Sequence, residues 1–190
     1  MTDPYFSVEY RARVNLIPLE QGETVPDVEQ LEADIPGPFR LISEVTRIDT
    51  HQARLLRNLD DHASDLVDVI NQQSRKIDLV LSHVLAEQDD PDCRSYTLTL
   101  GGGGFDFTPR HPMTDGQAVR IKLFLPEYSV AVFAYGDVHT SPDANRCHCR
   151  FTCIREQDKD ALIRASLQLQ AKQLKARAEQ RAQQNDKPAS

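Results

Sequence analysis

Apolar residues in this chain keep two different rhythms, and each predicts its own kind of element. From about Thr50 to Gln88 there is no Gly and no Pro, and a series recurs at spacings of three and four: Leu56, Leu59, Ala63, Leu66, Ile70, Gln73, Ile77, Val80 and Val84. Only Gln73 is polar. The period is that of a heptad, and it predicts a long helix with a coiled-coil seam over 50–89. With Leu56 at a and Leu59 at d, Ile70, Ile77 and Val84 fall at a and Leu66 at d, a choice that suits two strands. Leu55 and Val69 at g, with Val67 and Leu81 at e, widen the stripe. That suits more than two helices, or a dimer packed on another surface. Gln73 in the seam fixes register at a cost in stability. One unbroken helix would reach roughly 55 Å, longer than a small domain is wide. The pattern therefore predicts a homo-oligomer, dimer or tetramer; the alternative is one core helix of a monomer.

Outside that stretch the rhythm shortens to two. Phe6 to Leu19 reads as a strand. Ser95–Leu100, Phe105–Thr108, Ala118–Leu125, Ser129–Gly136 and Arg146–Ile154 are short, β-rich and separated by Pro, Gly and Asp. Val119, Ile121, Leu123 and Leu125 alternate with Arg120, Lys122 and Phe124, so each strand turns one face inward. Such strands predict a small antiparallel barrel or sandwich. The acidic, proline-bearing stretch 24–49 reads as a connector with a helical turn or two. Asp158 reads as the cap of a helix over 158–182 through Leu162, Ile163, Leu167, Leu169 and Leu174, and 183–190 as a disordered tail. The expected layout is mainly β with helical elaboration: a discontinuous barrel from 1–20 and 90–157, interrupted by the connector and the oligomerisation helix.

Four of the eight glycines form one run, Gly101, Gly102, Gly103 and Gly104, with a strand entering and another leaving. Glycine permits close approach to the backbone, so the run is either a tight corner or a platform where a ligand meets bare N–H groups.

Composition narrows the function classes. With 39% apolar residues, the chain is poorer in them than an average domain, which leaves one compact core and some solvated chain. No apolar run approaches 18 residues, so no membrane span is expected. The start, Met1-Thr-Asp-Pro-Tyr-Phe, has no basic segment followed by an apolar one, and the expectation is a cytoplasmic protein. A net charge of −7 argues against a bulk nucleic-acid binder. Cys147, Cys149 and Cys153 cluster, with His148 between them. A strand would turn all three cysteines and Phe151 to one face and His148 to the other, so they read as core thiols and no metal site is expected. No nucleophile with a base, no paired carboxylates and no phosphate-loop fingerprint occurs. The chain is expected to be no enzyme and to need no cofactor.

In order, these pieces resemble a PilZ domain. Thr99-Leu-Gly-Gly-Gly-Gly104-Phe-Asp-Phe stands at the turn, Gly116-Gln-Ala-Val-Arg-Ile-Lys-Leu-Phe-Leu-Pro126 at the next strand, and Cys147-His-Cys-Arg-Phe151 onward at the last strand and helix start. The resemblance covers 90–180, with Tyr5–Leu19 as first strand, and it makes the heptad helices an insertion like that of the family's atypical, tetramer-forming branch. It implies a bacterial cyclic di-GMP receptor without catalysis. Family members read that messenger with an Arg-x-x-x-Arg segment and an Asp/Asn-x-Ser-x-x-Gly turn. Here Gly104 matches the turn, Thr99 and Gly101 replace its two side chains, and Arg11 and Arg13 are the nearest arginines. The ligand residues implied are Gly101–Gly104, Thr99, Arg11 and Arg13, a degenerate messenger site. The rival readings are a ligand-independent oligomeric scaffold for an unknown effector protein, and a metal-binding protein using the cysteine cluster.

Overall fold

The computed structural model describes residues 7–56, 64–141 and 146–185, and the side chains of all these except 49–56, 64, 65 and 182–185. Chain order is β1 (Ser7–Glu9), β2 (Arg13–Pro18), α1 (Val28–Asp34), α2 (Gly37–Leu56), α3 (Ser64–Ala86), β3 (Arg94–Gly101), β4 (Gly104–Thr108), β5 (Gln117–Leu125), β6 (Val130–Thr140), β7 (Cys147–Cys153) and α4 (Glu156–Asn185).

The expected first strand is β1 and β2 with a break at Tyr10-Arg11-Ala12, while Phe6 lies outside the described residues. Thr97 of β3 explains the break. Its hydroxyl donates to the Tyr10 carbonyl at 2.6 Å and accepts the Ala12 N–H at 2.9 Å. Both halves run antiparallel to β3, Val8 opposite Leu100 and Val14 opposite Ser95. The remaining pairings are β2–β5, β5–β6, β6–β7, β7–β4 and β4–β3, so six strand positions close into an antiparallel barrel. Its interior holds Val14, Leu16, Leu100, Phe105, Phe107, Val119, Ile121, Leu123, Val132, Ala134 and Cys149, joined by Leu162 and Ala165 of α4. Each large side chain contributes about 1.5–3 kcal/mol on burial. That core holds the barrel without cross-links, for all four cysteines are free.

A second core lies outside the barrel wall. Leu31, Ile35, Phe39, Ile42, Leu81 and Leu85 of the inserted segment cover Phe124, Ala131, Phe133 and Tyr135. Strands β5 and β6 therefore bury residues on both faces, not one. Two expectations are corrected here. The stretch read as a connector is two helices, α1 and most of α2, which bury Leu31, Phe39 and Ile42, with Ile35 buried at the extended cap between them. And the heptad segment is no single helix from Thr50 to Gln88. Val45 and Ile48 of α2 line a space of about 260 Å³ together with Val69, Ile70, Gln73 and Ile77 of α3. On one straight helix Ile48 and Ile70 would stand roughly 33 Å apart, so the chain reverses between them.

Of the expected seam, Leu59 and Ala63 lie outside the described residues, as does the side chain of Leu56. Leu66, Gln73, Ile77 and Val80 are exposed, and Ile70 and Val84 are half-buried. Asp158 is not a cap, since α4 begins at Glu156. It is buried and takes two hydrogen bonds from Arg155, at 2.8 and 3.0 Å, and one from Ser43 of α2 at 3.1 Å. The strand reading of the cysteines needs one change. Between Tyr135 and Gly136 the register with β7 shifts, and this carries Cys153 out of the barrel interior into the helix-covered core. Among the described residues no helix is long and apolar enough to cross a membrane.

Candidate functional site: a cationic groove on the barrel wall

The glycine run is filled by the protein itself. Gly101 and Gly104 belong to β3 and β4, and Gly102 and Gly103 make the turn. A Cβ on Gly102 would meet Ile163 Cγ1 at 2.7 Å, and one on Gly104 would strike the Cys149 carbonyl oxygen. The Gly103 carbonyl accepts the Phe151 N–H at 2.9 Å. The missing side chains make room for α4 and β7.

Beside that turn, on the outer face of β3, lies an open groove of about 950 Å³. Its walls are Glu9 and the Tyr10–Arg11 break, the residues Arg94, Tyr96 and Thr99, the segment Thr108-Pro109-Arg110 at and after the end of β4, and Arg146 before β7, so one carboxylate stands among four arginines. Four arginines thus converge on one face of a chain whose net charge is −7. Each is placed by a specific contact. The strand break pushes Arg11 outward, and its guanidinium lies 4.0 Å over the Tyr96 ring. Arg110 donates to the Pro91 carbonyl. Arg94 pairs with Asp89 at 2.9 Å and Arg146 with Asp106 at 2.6 Å.

Asp106 is the hub at the groove's end. It accepts Thr99 Oγ1 at 2.9 Å and Arg146 Nη2, and its other oxygen lies 2.8 Å from His148 Nδ1. Burial pushes its carboxyl up, but the bonds from Arg146, His148 and Thr99 outweigh burial and hold it below the ordinary value.

Of the residues singled out from sequence, Arg11 and Thr99 reach the groove. Arg13 does not line it and pairs with Asp89 at 3.0 Å, and Gly101–Gly104 do not line it either. Sequence reasoning missed Arg94, Tyr96, Arg110 and Arg146. Arg94 and Tyr96 carry a signal, the outward alternation of a strand. Arg110 and Arg146 carry none, because only the closed barrel brings their loops together. As chemistry, the groove offers guanidinium forks and an Arg11–Tyr96 stack, which suits an oxyanion ligand with a planar group. Among the described residues no three His, Cys, Asp or Glu side chains converge to hold a metal. Burial pushes the thiols of Cys147, Cys149 and Cys153 up, away from the thiolate a metal requires.

No family model matches the chain, and no curated protein matches it. Among solved structures it is similar to a pathogenic protein from Xanthomonas campestris, described as a new tetrameric PilZ domain self-assembled via an unusual helical bundle. Identity is 17% and the TM-score 0.55, over 91% of this chain and 92% of that one. It is also similar to the inhibitor of motility of Bacillus subtilis, with 10% identity and a TM-score of 0.46, over 90% of this chain and 53% of that one. A six-stranded antiparallel barrel, closed by a C-terminal helix and carrying helices between its first two strand positions, is the class of architecture defined here. It is the fold of a PilZ domain.

Proposed function

We propose that the chain is a non-catalytic, cytoplasmic PilZ-type signalling adaptor of bacterial origin that binds cyclic di-GMP in the arginine groove and self-assembles through α2 and α3. The observation that carries the messenger reading is the convergence of Arg11, Arg94, Arg110 and Arg146 around Tyr96 and Thr99. Guanidinium pairs bidentately with phosphate and with the guanine O6/N7 edge, and the flat Arg11 guanidinium laid over Tyr96 offers a stacking surface. Isothermal titration with cyclic di-GMP tests it. The expected result is saturable heat that weakens in Arg11→Ala and Arg110→Ala. No heat at about 100 μM protein excludes affinity tighter than the micromolar range.

A ligand-independent scaffold for an effector protein is the second reading. It is favoured by the filling of the glycine turn with Ile163 and by the prior pairing of Arg94 and Arg146 with carboxylates. That reading predicts no heat and an unchanged assembly. Self-assembly is supported by the exposed apolar residues Leu41 and Ile48 on α2 and Leu66, Val69, Ile77 and Val80 on α3. The Xanthomonas protein, of similar fold, is described as a self-assembled tetramer.

A further inference from the structure

Asp89 stands three residues beyond the end of α3, and its side chain is only 2% exposed. Its carboxylate gathers four N–H donors: Arg94 Nε at 3.2 Å, Arg94 Nη2 at 2.9 Å, Arg13 Nη1 at 3.0 Å and Asn15 Nδ2 at 3.0 Å. Asn15, wholly buried, also accepts the Asp90 N–H at 3.0 Å and donates to the Asp90 carbonyl at 2.9 Å. The chain leaving α3 is thereby tied to β2 and β3.

Arg94 belongs to two places. It is held at this junction, and it lines the groove with its side chain 32% exposed. A guanidinium carries five N–H donors in a fixed plane, and Asp89 uses two of them. The pairing points the same way. Two guanidiniums share the Asp89 carboxylate, so neither is matched by a carboxylate of its own there, and an anion in the groove would add a second acceptor for Arg94.

We propose that Asp89 is a positioning residue. It holds the Arg94 fork toward the groove, so that a phosphate-ester oxyanion bound there and the foot of α3 share one arginine. This rests on the groove being the ligand site proposed above. Occupancy then tightens the α3 junction, and by linkage an ordered junction tightens binding by the same factor. The signal is delivered to α3, the helix with the exposed apolar face.

The test titrates the full chain, Asp89→Asn and Arg94→Gln with two probes separately, cyclic di-GMP and inorganic pyrophosphate. Amide hydrogen exchange over residues 86–92 is followed with and without each probe, and circular dichroism checks that the variants fold. Arg94 is part-exposed, so Arg94→Gln keeps the test open should Asp89→Asn fail to fold. The expected result is affinity lowered about tenfold in Asp89→Asn, and slowed exchange over 86–92 on binding that disappears in Arg94→Gln. Binding to unchanged affinity in either variant, or without slowing at 86–92, overturns the inference and leaves the messenger reading standing. Pyrophosphate binding with these dependences while cyclic di-GMP gives no heat does the reverse. No binding of either probe overturns both.

Discussion

Ile163 of α4 lies where a side chain on Gly102 would have to go, with its Cγ1 2.7 Å from the position of a Cβ there. At Gly104 the obstacle is the backbone carbonyl of Cys149, its neighbour across the β4–β7 ladder. The two glycines therefore differ in what must yield. An isoleucine end can swing aside, but a ladder carbonyl moves only if β4 separates from β7. Gly102→Ala is expected to cost about 1 kcal/mol and Gly104→Ala about 3 kcal/mol, the two ends of the usual overpacking range. Denaturant unfolding of both variants measures the order; equal costs would mean that α4, not the ladder, sets the constraint.

The barrel was legible because its strands alternate, and alternation is a local property. The helical layer was half legible. Asp27 caps α1 by accepting the Gln30 N–H at 2.8 Å, and Phe39 and Ile42 keep a helical spacing within α2. Pro26, Pro36 and Pro38 argued against a helix, yet prolines are tolerated at first turns, and Pro38 is the second residue of α2. In α3 the heptad positions part company: Ile70, Gln73 and Ile77 line the space beside α2, while Leu66 and Val80 are exposed. That part of the stripe meets α2 of the same chain depends on a reversal that periodicity cannot express. The groove was least legible, for its arginines come from four separate segments and share no spacing.

The acid limb of stability should report on Asp106. Its pKa is depressed in the folded protein, because hydrogen bonds from Arg146, His148 and Thr99 outweigh the opposing effect of burial. A depressed carboxylate adds stability above its unfolded value, about 3.9, and that stability is lost as pH falls through the folded value. Asp106→Asn removes this dependence. Wild type should be the more stable at neutral pH, by no more than about 1 kcal/mol because the carboxylate is partly open to solvent. The two should converge below about pH 4. Unfolding curves that stay parallel from neutral to acid pH would show that the Asp106 network adds nothing.

Thiol chemistry separates the cysteines by burial. Cys149 is wholly enclosed in the barrel, and burial pushes its thiol far up. Cys93 is half-buried at a strand entry, its thiol raised first by burial and then by Asp90. A thiolate is the reacting species, so alkylation at neutral pH should label Cys93 first. Cys149 should react only as fast as the barrel unfolds globally. Mass spectrometry on a time course measures this, and early labelling of Cys149 would contradict a closed barrel.

Leu66 and Val80 test whether the helical layer is an assembly surface. They are 55% and 64% exposed on α3 and belong to neither buried core. Single exposed apolar residues need no explanation, but α3 exposes several, Leu66, Val69, Ile77, Leu79 and Val80, and the proposed assembly would cover them. Leu66→Asp with Val80→Asp places two charges among them and touches neither core. The expected outcome is a smaller particle by light scattering, with the β signal and barrel unfolding transition unchanged. Leu81→Asp is the contrast. It buries a charge between α3 and Phe124, Phe133 and their neighbours, and should detach the helical layer at a cost of about 3 kcal/mol or more. A wild-type chain that is monomeric at high concentration would end the assembly reading. Loss of β signal in the Leu66/Val80 variant would show instead that this face is needed for folding the barrel itself.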